Sequence, residues 1–234
     1  MEVSLLTKCL REIEDQFYVK VVDDISLLNK IYELRYQVYC TERSFLPGQD
    51  GMEYDEFDQQ SRHIALIDRQ TNQLVGTARL VRSTPGNLHG SFPMQTVCSP
   101  FLLEKLPFDT TAEASRFAIS KQRRSPRSAA LLRVGLFQGL IRLSAELGLT
   151  HWCGVLEPAL LRLLGMTSIY FEPLGPVVEY HGLRQPCFTR LDHFLDRIHA
   201  ERPEIWDYLT EGGETWPRQS DRIWQQGSDR RLAA

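Results

Sequence analysis

The most constraining feature of this chain is one run of pattern in its second half. From about Ser128 to Leu147 apolar residues recur at helical spacing, and Gly148 closes the stretch. A strand pattern, His151–Leu156, follows at once, and Pro158 then opens a further short helix at the position where proline fits best. A third strand pattern, Ala112–Ser120, comes before the long helix, separated from it by the basic turn Lys121–Arg127. Strand, helix, strand and helix in close succession indicate an α/β fold.

The first half extends this order. Leu5, Leu6, Leu10, Ile13 and Phe17 predict an opening amphipathic helix, and Phe17–Val22 a short strand. Asp24 or Ser26 can cap a second helix whose apolar stripe includes Leu27, Leu28, Ile31, Leu34 and Val38. Ser44–Ser61 carries Pro47, Gly48, Gly51 and five acidic residues, and reads as a loop. His63–Asp68 and Gln73–Val81 are strands joined by a turn, and two further strands are expected between Tyr170 and Thr189. The end, from Asp192, reads as helical and then frays. The prediction is one domain over residues 1–234, with 192–234 a peripheral helical extension. Its sheet is mixed, with helices on both faces.

Charge and cysteines narrow the function classes. A net charge of -3 offers no argument, through bulk charge, for a nucleic-acid or bilayer-surface partner. No apolar run is long enough to span a membrane, and the acidic residues Glu2, Glu12, Glu14 and Asp15 do not fit a signal peptide. The five cysteines are scattered, with no CxxC pair, which suits reduced cytoplasmic thiols better than a disulfide frame or a metal site. No resident cofactor or metal is expected.

Four ordered motifs carry a specific signal. They are Leu34-Arg35-Tyr36-Gln37-Val38-Tyr39, then Glu53-Tyr54-Asp55-Glu56-Phe57-Asp58, then Val75-Gly76-Thr77-Ala78-Arg79-Leu80, then Glu113-Ala114-Ser115-Arg116-Phe117. In this order they resemble the acyl-homoserine lactone synthases (LuxI-type), which carry R-x-x-V-F, E-x-D-x-x-D, G-x-x-R-L and E-S-S-R-F. Tyr39 and Phe45 stand where those enzymes have phenylalanine and tryptophan. In the second half, the segments 151–162, 171–176 and 180–187 look like the N-acyl amino acid synthases. The whole chain resembles the members of that group associated with the PEP-CTERM/exosortase system. The resemblance implies a GNAT-type acyltransferase fold, an acyl carrier protein as donor and an amino acid as acceptor.

Amide formation from a thioester needs an apolar slot, a donor to the carbonyl oxygen and a base for the ammonium. It also favours an arginine fork for an acceptor's carboxylate. Glu113 is the candidate base; the other reading is a structural ion pair with an arginine. In a regular strand Glu113 and Arg116 would face opposite sides. Either they serve different layers or a bulge re-aims one of them, and the resemblance implies the bulge. Asp55 and Asp58 read either as a solvated loop face or as partners of Arg35 and Arg79. His63 could relay a proton or be structural. By resemblance alone His181 would line the acceptor side. Lys121, Arg123, Arg124 and Arg127 precede a helix N-terminus, where the GNAT resemblance places the phosphate of the pantetheine arm. This turn lacks a glycine-rich run, which favours the acidic surface of a carrier protein over a coenzyme A pyrophosphate; a solvated turn is the alternative. Lactone formation from S-adenosylmethionine, a coenzyme A donor and a non-catalytic carrier-binding module are the competing functions.

Overall fold

A computed structural model describes residues 4–47, 50–123 and 126–216. Helices α1 (Leu5–Gln16) and α2 (Ile25–Arg35) flank strand β1 (Phe17–Val21). Asp24 is the residue that caps α2, its carboxylate accepting the Leu27 N–H at 2.7 Å. Strands β2 (Ser61–Asp68), β3 (Leu74–Arg82) and β4 (Thr111–Ile119) follow. Helix α3 (Pro126–Glu146), β5 (His151–Leu156) and α4 (Pro158–Gly165) come next, within two residues of the expected bounds. The last part holds β6 (Glu172–Pro173), β7 (Val178–Glu179), β8 (Leu183–Arg190), α5 (Leu191–Glu201) and α6 (Pro203–Thr210). Three strands therefore stand where two were expected. Two of the three, β6 and β7, are two-residue pairings with β8, too short to leave an alternating pattern.

The sheet runs β1-β2-β3-β4-β5-β8-β6, with β7 added beside β8. Its pairings are antiparallel except β4 with β5, which are parallel. The expected mixed sheet with helices on both faces is the observed one. On one face α3 lays Leu132, Leu136, Leu140 and Leu143 against Ile64, Leu66, Ala78 and Leu80. On the other face Ile31 of α2 packs on Ala65 and Ile67.

The peripheral reading of the C-terminal segment is corrected for the part described. Phe194, Leu195 and Ile198 of α5 and Ile205 and Leu209 of α6 are buried in the main core. Their spacing closes an apolar stripe over α3 and α1 that would otherwise face water. Trp216 packs against this core, whereas Trp224 lies outside the described residues.

Gly139 marks the closest approach of α3 to the sheet. A Cβ there would sit 2.3 Å from Val19 Cγ1 and 2.9 Å from Ile64 Cδ1. Alanine normally stabilises a helix interior by about 1 kcal/mol over glycine. Here overpacking against stiff β-branched side chains reverses the sign. We expect Gly139→Ala to lower stability by about 1–3 kcal/mol in urea unfolding. At Gly135 the nearest neighbour is the flexible Leu66 Cδ1, at 3.3 Å, and Gly135→Ala should be close to neutral.

Candidate functional site: a buried arginine–carboxylate network beside a cavity

Strands β4 and β5 are paired only from Thr111 with His151 to Glu113 with Cys153. Beyond that point they part, and a cavity of about 450 Å³ opens between them. Glu113, Ser115, Arg116 and Phe117 line it from β4, Val155 and Leu156 from β5, and Asp55 from the acidic loop.

A bulge in β4 shapes this wall. Arg79 pairs with Ser115 but Thr77 pairs with Ala118, so Arg116 and Phe117 have no register partner on β3. Arg116 sits at φ +54°, in the left-handed region. A regular strand would send Arg116 toward α3, on the face of Ala112 and Ala114. The bulge turns it instead toward the acidic loop, so Glu113 and Arg116 reach the same cavity. Tyr39 braces the turn, its hydroxyl donating to the Phe117 carbonyl at 2.8 Å. Its ring lies 5.7 Å from the Arg116 guanidinium. Tyr39 thus makes a hydrogen bond that a phenylalanine at this position could not make.

The acidic segment is not a plain loop. Asp55 caps a short helical turn, Glu56–Gln60, accepting the Phe57 N–H at 3.0 Å. Asp58 reaches back to accept the Asp55 N–H at 2.8 Å. This reciprocal cap explains the three-residue spacing and aims both carboxylates inward. Arg35, the last residue of α2, donates to Asp58 through both terminal nitrogens, at 2.7 and 3.0 Å, and through Nε to Glu53 at 2.6 Å. Arg79, on β3, donates to Asp55 at 2.7 and 2.8 Å, to Asp58 at 2.7 Å and to Ser115 Oγ at 3.1 Å. Arg116 closes the set through Asp55 at 2.8 Å and Glu53 at 3.1 Å. Arg35 and Arg79 are wholly buried.

Three arginines therefore face three carboxylates, and the solvated-face alternative for the acids does not apply. Burial alone would raise the Asp58 pKa. The Arg35 hydrogen bonds and the Arg35 and Arg79 charges outweigh it and hold Asp58 well below the usual carboxylate range. Asp55 is lowered too, against burial, chiefly by the hydrogen bonds from Arg79. Glu53, the first residue of the second motif, anchors both Arg35 and Arg116 and belongs with the site, a role its position in the motif does not signal.

Glu113 lies outside this network. It is buried, and its Oε2 accepts the Met94 N–H at 2.7 Å rather than pairing with an arginine. Burial raises its pKa to about 7, opposed by the Met94 N–H and by the Arg79 and Arg116 charges. The contact from Met94, nineteen positions away, had no signal in the sequence.

His63 is buried 3.5 Å from Asp58 Oδ1, and neither ring nitrogen has a hydrogen-bond partner among the described residues. Burial lowers its pKa to about 4, so it is neutral near pH 7, and it is not among the residues that line the cavity. This geometry does not support the proton-relay reading. His181 does line the cavity, stacked on Phe45 with ring centroids 5.7 Å apart. Lys121 is exposed on a short helical turn, Lys121–Arg123. The side chains of Arg123 and Arg127, and the whole of Arg124, lie outside the described residues.

Comparison with known proteins meets this geometry at the level of fold. Residues 34–134 match the family described as "Acetyltransferase (GNAT) domain". No curated protein sequence matches the chain. Among solved structures it is similar to the acyl-homoserine lactone synthase LasI, with 20% identity and a TM-score of 0.58 over 74% of this chain and 88% of that one. It is similar to BjaI, a CoA-dependent acyl-homoserine lactone synthase solved with SAM and isopentyl-CoA. There the identity is 20% and the TM-score 0.59, over 79% and 88% of the two chains. It is also similar to FeeM, an N-acyl amino acid synthase from uncultured soil microbes, with 14% identity and a TM-score of 0.55 over 78% and 94%. The family match agrees with the acyltransferase class expected from the sequence, and the solved structures agree with the fold. The chain has the GNAT-type α/β fold, and its four motifs meet where that fold's fourth and fifth strands part.

Proposed function

We propose that the protein is an N-acyltransferase that moves a fatty acyl group from acyl carrier protein to the amine of an amino acid. The observation that carries this reading is Glu113, a buried carboxylate with a pKa raised to about 7. It faces a cavity large enough for a thioester and an amine. The acceptor's ammonium gives a proton to Glu113, and its nitrogen attacks the thioester carbonyl carbon. The N–C bond forms, the C–S bond breaks, and the second proton lost by the nitrogen goes to the departing sulfur, so that an amide and a free thiol result with one proton left on Glu113. The bulge takes the backbone of Arg116 and Phe117 off the β3 ladder at the cavity wall, and their N–H groups are the natural donors to the carbonyl oxygen. Phe117, Leu156 and Leu160 supply the apolar wall for the acyl chain. The basic turn at Lys121, Arg123, Arg124 and Arg127 is proposed to meet the carrier protein or its phosphopantetheine arm.

Association with the PEP-CTERM/exosortase system and a cytoplasmic location are part of the same proposal and rest on the sequence. Among the described residues, no helix is long and apolar enough to cross a membrane.

Lactone synthesis from S-adenosylmethionine is the second reading, favoured by the similarity to LasI and BjaI. One experiment separates the two. The purified protein is incubated with long-chain acyl carrier protein, the matching acyl-coenzyme A, amino acids and S-adenosylmethionine, and products are read by mass spectrometry. An N-acyl amino acid is expected. Release of methylthioadenosine with a lactone would move the assignment to the second reading. Tight carrier-protein binding without thioester consumption at any chain length would leave a binding module.

A further inference from the structure

The inner network is balanced in charge, and an acceptor's carboxylate would find no unmatched cation there. A different group stands at the cavity mouth. Arg43 and Arg184 both point to a single carboxylate oxygen, Glu157 Oε1, at 3.2 and 3.3 Å. Two cations therefore share one anion. Arg184 is mostly buried and is oriented by the backbone of its own turn, donating to the His181 carbonyl at 2.8 Å and the Leu183 carbonyl at 3.1 Å. Both guanidinium carbons lie near the ring of Phe45, at 5.4 and 5.6 Å from its centroid. His181 stacks on the same ring, at an interplanar angle of 20°. All five side chains line the cavity that Glu113 lines.

We infer that Arg43 and Arg184 form the carboxylate-binding site for the acceptor, with the Phe45–His181 stack as the wall against its side chain. This deepens the amino acid reading given above and rests on it. An arginine fixed by backbone carbonyls keeps its remaining N–H donors aimed, so little order is lost when a carboxylate docks. Glu157 occupies the site in the manner of a resident competitor, holding two cations at the mouth until a ligand carboxylate joins them. The geometry suits an α-amino acid or S-adenosylmethionine, which present the same carboxylate beside the same amine.

The test is binding, measured by calorimetry with no acyl donor present. The probes are the standard amino acids and S-adenosylmethionine, each compared with its carboxamide. For the acceptor that binds, Arg184→Gln should raise Kd about 10–100-fold, the size of a lost charge-assisted hydrogen bond. The carboxamide's affinity should not change. Glu157→Gln should act in the opposite direction and tighten carboxylate binding several-fold, an effect that mere loss of structure cannot produce. Equal weakening of acid and carboxamide, or no tightening in Glu157→Gln, would overturn the assignment, as would wild-type protein that binds none of the acids. Thioester consumption is read separately on the same preparations. Carboxylate-dependent binding without turnover would remove the catalytic reading and leave this site standing. Turnover with an acceptor indifferent to its carboxylate would do the reverse. Which acid binds decides between the amino acids and S-adenosylmethionine.

Discussion

Glu113→Gln should lower kcat/KM for acyl transfer by about 10²–10⁴-fold, the range expected when a positioned general base is removed. The amide keeps the shape of the side chain and can still accept the Met94 N–H, so the fold should survive. In the wild-type enzyme the acid limb of the pH profile should rise through about pH 7, where Glu113 loses its proton. The variant should lack that limb.

Stability should move the other way. Glu113 has a folded pKa of about 7 against a reference of 4.5, so the folded state binds the proton more tightly than the unfolded chain. That contribution is fully present below about pH 4.5 and is lost as pH rises through 7. Above pH 7 the buried charge costs on the order of 3 kcal/mol, and glutamine removes the cost. Thermal unfolding at pH 8 should therefore show Glu113→Gln more stable than wild type, with the difference vanishing near pH 4. A variant that is both inactive and less stable at pH 8 would argue for a structural Glu113.

Asp58→Asn should be the most damaging single change to the fold among the site residues. Asp58 accepts both terminal nitrogens of Arg35, a third hydrogen bond from Arg79 and the Asp55 N–H. Removing its charge leaves two wholly buried guanidinium groups short of an anion. Breaking a buried pair from one side costs about 3–5 kcal/mol, and in a chain of this size that is roughly 10 °C in Tm. The folded pKa of Asp58 is depressed, so its contribution is present above the unfolded carboxylate pKa and is lost only as pH falls below that range. The Tm difference between wild type and Asp58→Asn should accordingly be constant through neutral pH and shrink in strong acid. A variant within 2 °C of wild type at pH 7 would show that the three-arginine network contributes little to stability. Product assays on the same variant report whether the network also positions Arg116 at the cavity.

Much of this molecule is legible in its sequence. Strand and helix periodicity gave β2, β3, β4, α3 and β5 within two residues. The spacing of Asp55 and Asp58 was readable as a pair, and the reciprocal helical cap supplies its local cause. Two strands are legible where β6, β7 and β8 lie; the third is not, since a pairing of two residues has no period of its own. Nor was the burial of α5 and α6: an amphipathic helix at a chain end reads the same whether its stripe meets the core or not.

The sequence by itself determined the order of the main elements, and it named the candidate ion partners and Glu113 as a candidate base, because these depend on local pattern and on which side chains can carry charge. Tertiary structure decided what those side chains do. The register slip between β3 and β4 turned Arg116 to the side of Glu113, against the alternation of a regular strand. The burial of Glu113 against Met94 moved its pKa to about 7, whereas three arginines held Asp55 and Asp58 low. Carboxylates that are chemically alike in the chain thus have their pKa values shifted in opposite directions, because desolvation and neighbouring charge are properties of the packed molecule.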